Sequence, residues 1–335
     1  MSTAAVVGIG DISALHLAAI QANPGIDLVA VCDVDPARAE RAGRTFGVPA
    51  YTDHRTLLRE LSPDVVHVTT PHDQHVPVAV DALDAGSHVL TEKPIGQTVA
   101  AGRRLVDRAA TASTKVGVVF QNRYNPSSVA IRALLDSGAL GPIAGARAAV
   151  WWYRNPAYYA AAPWRGRWET AGGGVLINQA IHTLDLLTWF LGHPASVRGR
   201  AATLALADAI EVEDIASIVI DHDTGVRSTF FATNCHHTNA DIELEITGRD
   251  GVVKLTGGEV WQTDAAGTRQ IASDSQATGE RSYWGKGHSL LIDDFYARLA
   301  DPEPFWIGPA DGLVPLQVLR EVYAQSGILP VGQDV

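Results

Sequence analysis

Cysteine is nearly absent: Cys32 and Cys235 are the only two in 335 residues. Two isolated thiols build no disulfide framework and fit a reducing compartment. No uninterrupted apolar run is long enough to cross a bilayer. The opening stretch MSTAAVVGIG has no basic segment followed by a cleavage site and reads as a strand entering a glycine turn, so the expected location is cytoplasmic. Positive charge is in deficit, with 26 Lys and Arg against 37 Asp and Glu and a net charge of -11. That balance argues against nucleic acid or an anionic membrane as partner, since either needs clustered cations. Internal repeats and low-complexity tracts are missing as well. With 46% hydrophobic and 19% charged residues, what remains is an ordinary globular composition. Its length predicts two domains.

The two predicted domains differ in rhythm. Short β-rich runs (AAVVGI, DLVAVCD, DVVHVTT, HVLTEK, KVGVVFQ) alternate with helical stretches such as ARAERAGRTF and VPVAVDALDAG. This pattern predicts an α/β, doubly wound parallel sheet with helices on both faces over residues 1–121. Beyond it come longer alternating strands: AGARAAVWWYR, SVRGRAATLAL, IEVEDIASIVIDH, VRSTFFATNC, ADIELEITGRDG and VVKLTGGEVWQT. They predict an α+β domain over 122–335 with a large, mostly antiparallel sheet, a helix over 175–191 packed on it and a final helix, GLVPLQVLREVYAQSG.

Chemistry-bearing residues gather at a few places. Gly8 and Gly10 follow the first strand, with Ser13 where the usual dinucleotide fingerprint has a third glycine. Such a turn brings backbone close to a pyrophosphate at a helix N-terminus, here with Asp11 and Ile12 in the turn. Asp33, twenty positions after Ser13, ends the second strand where a carboxylate accepts hydrogen bonds from an adenosine ribose. Thr70, Pro71, His72 and His75 lie at the carboxyl end of the next long β-run, Glu92-Lys93-Pro94 at the end of another, and Gln121 at the end of the last. Ligands of doubly wound sheets sit outside those ends. A lone Lys93 would read as a solvated surface lysine, but flanked by Glu92 and Pro94 at a strand end it is a catalytic candidate. In GGGVLINQAIHTLDLL, Asn178, His182 and Asp185 interrupt an otherwise apolar helix at intervals of four and three, which puts them on one face.

With GIGDISALH, TPHDQH, the EKP at Glu92 to Pro94 and GGGVLINQAIHTLDLLTWFLG in this order, nearly the whole chain resembles the Gfo/Idh/MocA family, relatives of glucose-fructose oxidoreductase and inositol dehydrogenase. The resemblance implies an N-terminal Rossmann domain binding NAD, with NADP disfavoured by Asp33. It implies a C-terminal, substrate-binding α/β domain whose open sheet commonly mediates oligomerisation, here as a homodimer or homotetramer. It also implies that Lys93 and His182 lie beside the nicotinamide ring. His182 would then be the general base and Lys93 the group that stabilises an alkoxide or polarises a carbonyl. Asn178 stands where the inositol-dehydrogenase branch has aspartate, and asparagine is familiar from the nucleotide-sugar branch. Asp185 reads as a supporting or structural acid.

The tract WWYRNPAYYAAAPWRGRWE holds Trp152, Tyr153, Arg154, Tyr158, Tyr159, Trp164, Arg165 and Trp168. Aromatic faces stack on sugar C–H surfaces and arginines hold hydroxyls or phosphates, but the same residues suit a lid or an interface. Trp152, Arg154 and Trp164 join Arg123, Lys93, Asn178 and His182 as expected substrate contacts. Strand alternation would put Cys235 and His237 of NCHH on one face, yet without a third ligand nearby no metal is expected. The expected activity is an NAD-dependent oxidoreductase acting on a sugar, nucleotide-sugar or cyclitol hydroxyl. The alternatives are an enzyme that recycles bound NAD in glycoside cleavage or sugar interconversion, and a non-catalytic NAD-dependent sensor.

Overall fold

The structure, a computed structural model, describes residues 1–274 and 286–330. It divides into two units, one of Met1–Gln121 with Gly287–Leu313, the other of Asn122–Lys286 with Val314–Val335.

In the first unit, β1 (Ser2–Val7), β2 (Ile26–Cys32), β3 (Ala50–Tyr51), β4 (Val65–Val68), β5 (His88–Glu92) and β6 (Val116–Val119) form one sheet in the order β3-β2-β1-β4-β5-β6. Every pairing is parallel. Strands β4 and β6 are buried at every position, as expected of parallel strands covered on both faces. The helices between them are α1 (Ser13–Ala22), α2 (Pro36–Phe46), α3 (His54–Leu61), α4 (His72–Asp84) and α5 (Val99–Ala110). Asp35, Asp53 and Thr98 start three of these by accepting hydrogen bonds from first-turn N–H groups. The strand order reverses between β1 and β4, so the crevice outside their carboxyl ends is where this topology binds ligands.

In the second unit, β7 (Ile143–Trp151), β8 (Pro194–Ala202), β9 (Ile215–His222), β10 (Arg227–Thr233), β11 (Glu243–Gly248), β12 (Gly251–Thr256), β13 (Glu259–Asp264) and β14 (Gly267–Ser273) form a sheet ordered β14-β13-β12-β11-β7-β10-β9-β8. All its pairs are antiparallel except β7 with β10. The run VVKLTGGEVWQT, which reads as one strand, is the hairpin of β12 and β13. Gly257 and Gly258, at φ +56° and +78°, reverse the chain in a conformation other residues rarely adopt. Ile218 and Ile220 of β9 and Phe230 of β10 point inward, alternating with more accessible neighbours. Helices α6 (Pro126–Asp136) and α7 (Pro156–Ala160) precede a π-helical turn, Leu176–Ala180, which runs into α8 (Ile181–Leu191). The apolar helix α8 is buried nearly all round and packs on β7 and α6.

Residues 287–313, assigned by the sequence to the second domain, fold with the first unit. There α9 (Gly287–Ala297) packs on α1 and β6. The ring of its Phe295 lies against Gly117, where a Cβ would come within 2.9 Å of it, and the Val118 N–H donates to the Ile307 carbonyl at 2.9 Å. The last helix, α10 (Pro309–Ser326), contains the boundary between the units. No helix among the described residues is long and apolar enough to cross a membrane.

Candidate active site

The glycine turn after β1 has the geometry its sequence suggests. Gly8 holds φ +94°, and a Cβ there would lie 2.7 Å from the Thr69 and Thr70 backbone, so only glycine lets β1 and β4 close at the switch point. Gly10 faces open space. The Ile12 side chain makes no capping hydrogen bond at the start of α1, a helix N-terminus of the kind that favours an anion. Asp11 is exposed. Asp33 is buried, and its carboxylate accepts the Ile9 N–H at 2.7 Å and the Asp35 N–H at 2.9 Å. Arg38 reaches the same carboxylate at 3.4 Å from the first turn of α2, five residues on in CDVDPAR, a partner the sequence analysis passed over.

At the carboxyl ends of β4, β5 and β6 the side chains turn inward. Thr70 Oγ1, Gln97 Oε1 and Gln121 Oε1 are buried with no protein partner among the described residues, as suits groups awaiting a polar ligand. His72 is buried beside His75, their ring centroids 5.6 Å apart, just after Pro71. The two nitrogens of His75 lie 2.7 and 2.9 Å from the Pro94 and Thr70 carbonyl oxygens. Burial pushes its pKa down against those bonds, and the ring ties the EKP turn to the end of β4. The Glu92 carboxylate is buried too, accepting from His16 at 3.1 Å, His288 at 3.3 Å and the Lys93 backbone N–H at 3.2 Å. Burial alone would raise its pKa, but the histidine hydrogen bonds hold it well below the usual carboxylate range. Lys93 is half-buried.

In the second unit the GGG segment is shaped by Glu213. Its carboxylate accepts the Gly174 N–H at 2.8 Å, the Leu176 N–H at 2.9 Å and the Tyr323 hydroxyl at 2.7 Å, while its carbonyl accepts the Val175 N–H at 3.1 Å. A side chain on Gly174 would overlap that carbonyl, and one on Gly173 would overlap the Tyr323 hydroxyl. Glu213 therefore caps the π-helical turn that carries Asn178 and leads into the first turn of α8, where His182 sits half-buried. In a segment read as an alternating strand, nothing local marked Glu213 or Tyr323 for this role. Burial pushes the Glu213 carboxyl up, opposed by the Tyr323 hydroxyl and the two N–H groups, to about 7.

Asn178 meets the aromatic tract through Tyr158, whose hydroxyl accepts from Asn178 and Gln179 at 3.2 Å each. Arg154 stacks over the Trp152 and Tyr158 rings at 5.0 and 5.1 Å, and Arg165 over Tyr158 and Trp164 at 4.4 and 5.6 Å. The tract thus divides: Tyr159 and Trp168 enter the core, bonding Asn234 and the Glu211 carbonyl, while Trp152, Arg154, Tyr158, Trp164 and Arg165 form a half-buried cluster next to Asn178. Arg123 is elsewhere engaged, forked onto buried Asp185 at 2.7 and 3.0 Å. Cys235 pairs with Tyr153 in an isolated bridge beyond the end of β10, so the expected strand through His237 does not form. Among the described residues no three His, Cys, Asp or Glu are placed to hold a metal.

A doubly wound parallel sheet with an open glycine turn at its switch point and a buried acid at the end of β2 is the architecture of a dinucleotide-binding domain. Residues 3–120 match the oxidoreductase family with an NAD-binding Rossmann fold, and residues 128–254 match the GFO/IDH/MocA C-terminal domain. The chain belongs to the Gfo/Idh/MocA family of NAD-binding dehydrogenases that act on CH–OH groups. D-apiose dehydrogenase of Paraburkholderia graminis is 28% identical over 261 residues, 75% of this chain and 67% of that one. Inositol 2-dehydrogenase of Salmonella typhimurium is 27% identical over 259 residues, 75% of this chain and 73% of its own. The WlbA dehydrogenase of Bordetella pertussis, solved with NADH and UDP-GlcNAcA, superposes with a TM-score of 0.84 at 29% identity, covering 97% of this chain and 96% of that one.

Two outcomes follow from these geometries. At the ribose position the topology gives it, the Asp33 carboxylate would repel a 2′-phosphate, so kcat/KM should favour NAD over NADP, and Asp33→Ala, which leaves Arg38 paired only with Asp35, should cut that preference by about ten- to a hundredfold; a native preference for NADP would contradict this role for Asp33. Glu213 makes stability pH-dependent. Because burial raises its folded pKa to about 7, above the ordinary glutamate value of about 4.3, its contribution is complete below that ordinary value and lost as pH rises from there through about 7, by on the order of 3 kcal/mol. Denaturant unfolding across this window should show the decline in the native protein and its absence in Glu213→Gln.

Proposed function

We propose that the protein transfers hydride between NAD and a hydroxyl-bearing ring carbon of a pyranose-like polyol, free or nucleotide-linked. The observation that carries this reading is the second unit's surface around Asn178: a polar stripe on a capped helix, joined through Tyr158 to stacked arginines and tryptophans. Neighbouring ring hydroxyls fit such alternating polar and aromatic groups. An apolar alcohol would leave the polar stripe unpaired, at about 1–3 kcal/mol for each group. The names of the relatives, which act on apiose and inositol, point the same way.

NAD, when bound, supplies the hydride acceptor. In oxidation the substrate's C–H and O–H bonds break and a C=O bond forms. His182 takes the hydroxyl proton, the general-base role for which histidine is the side chain most often used. The Lys93 ammonium stabilises negative charge developing on the oxygen, and in reduction polarises the carbonyl. Asn178 orients a neighbouring hydroxyl, and Trp152, Arg154 and Trp164 hold the distal part of the substrate. Arg123 acts through Asp185, keeping the helix behind His182 in place.

A single plate of cyclitols, hexoses, nucleotide sugars, hydroxy acids and aliphatic alcohols, read by NADH absorbance, tests the proposal. A polyol should be the best substrate, and on it Lys93→Ala and His182→Ala should each lower kcat by about two to four orders of magnitude while NAD binding persists. Best turnover of hydroxy acids or simple alcohols, or near-native kcat in either variant, would refute it.

A further inference from the structure

Behind Lys93 the first unit buries a run of titratable side chains that the proposed chemistry does not use. The Tyr296 hydroxyl lies 2.9 Å from His67 Nε2, His67 Nδ1 lies 2.8 Å from His16 Nδ1, and His16 Nε2 lies 3.1 Å from Glu92 Oε1. His288 adds a second imidazole to the same oxygen at 3.3 Å. His16, His67, His288 and Glu92 are all buried.

One assignment of hydrogens satisfies the whole run. Tyr296 O–H donates to His67 Nε2, His67 Nδ1–H to His16 Nδ1, and His16 Nε2–H to Glu92, whose carboxylate is the final acceptor. Burial favours neutral His67 and His288, and both have lowered pKa values. Every donor then points toward Glu92, and hydrogen bonds in series polarise one another in the same sense. The run gathers groups from α1 (His16), β4 (His67), β5 (Glu92) and α9 (His288 and Tyr296). His75 on α4 and Lys93 itself are the other charged or titratable groups acting on its inner end, and Asp64 acts on Tyr296.

We propose that Glu92 is the positioning residue for Lys93: a carboxylate kept ionised by the run Tyr296–His67–His16 and by His288, which grips the Lys93 backbone N–H and supplies the fixed negative charge that keeps the Lys93 amine protonated. The inference rests on the role proposed above for Lys93, where a protonated amine is required. The same run ties the Lys93 backbone to α1, the helix at the dinucleotide turn.

The test needs no substrate. Lys93, Lys115, Lys254 and Lys286 are the only lysines in the sequence, so trace acetylation with acetic anhydride over a range of pH, quantified by peptide mass spectrometry, gives the titration midpoint of each amine. Glu92→Gln should lower the Lys93 midpoint by about one pH unit, the effect of removing one nearby charge, with Lys254 in the second unit unmoved. Glu92→Asp should keep the native midpoint, and Tyr296→Phe should lower it by a smaller amount. Should Glu92→Gln not accumulate as folded protein, the Tyr296→Phe and Glu92→Asp pair carries the test. A native Lys93 midpoint in Glu92→Gln or in Tyr296→Phe, or an equal shift at Lys254, would overturn the inference. Activity of Lys93→Ala is a separate result: full turnover there would remove the catalytic role of Lys93 and leave the labelling result standing.

Discussion

A carboxylate taken out of water is tolerable only when donors surround it, and each unit of this protein is organised around one that meets that condition. In the first unit Glu92 draws donors from α1, α9 and its own strand end. In the second, Glu213 gathers the N–H groups that begin the Asn178 turn and the hydroxyl of Tyr323 on α10. Each carboxylate stands next to the residue assigned the chemistry, or at the start of its helix. At Glu92 the hydrogen bonds outweigh the burial cost and at Glu213 they offset only part of it; in both, the bonds are made in one geometry, which holds the Lys93 backbone and the turn leading to His182.

The two environments differ in their balance of forces. Histidines facing Glu92 hold its pKa down, whereas Glu213 has only neutral donors and rises to about 7. Glu92 is thus an anion at neutral pH, whereas Glu213 keeps its proton to higher pH than an ordinary carboxyl. The π-helical turn that Glu213 caps is an irregular form that recurs at functional positions, and here it aligns Asn178 with Tyr158 and the stacked arginines.

Much of this was legible in the sequence wherever the cause is local. Gly8 and Gly10 after a strand, Asp33 twenty residues past Ser13 and the β-helix rhythm up to residue 121 predict the six-stranded parallel sheet, because turn geometry and apolar runs are short-range signals. Long-range matters left no such mark. The return of residues 287–313 to the first unit depends on Phe295 meeting Gly117, and the GGG segment is explained by Glu213 and Tyr323, distant in sequence. The hairpin at Gly257 and Gly258 was readable from its glycines but was masked by apolar residues on both sides. The sequence presents the aromatic tract as one feature, but burial splits it, sending Tyr159 and Trp168 to the core and the stacked cluster to Asn178.

The central claim is that a polyol carbon delivers its hydrogen directly to NAD. The most direct measurement incubates the protein with NAD and ring-deuterated cyclitols and sugars, free and nucleotide-linked, and reads the reduced coenzyme by mass spectrometry. The account predicts one deuterium per NADH formed from a polyol. Unlabelled NADH from the deuterated substrate, or none formed from any polyol by protein that still binds NAD, would contradict it.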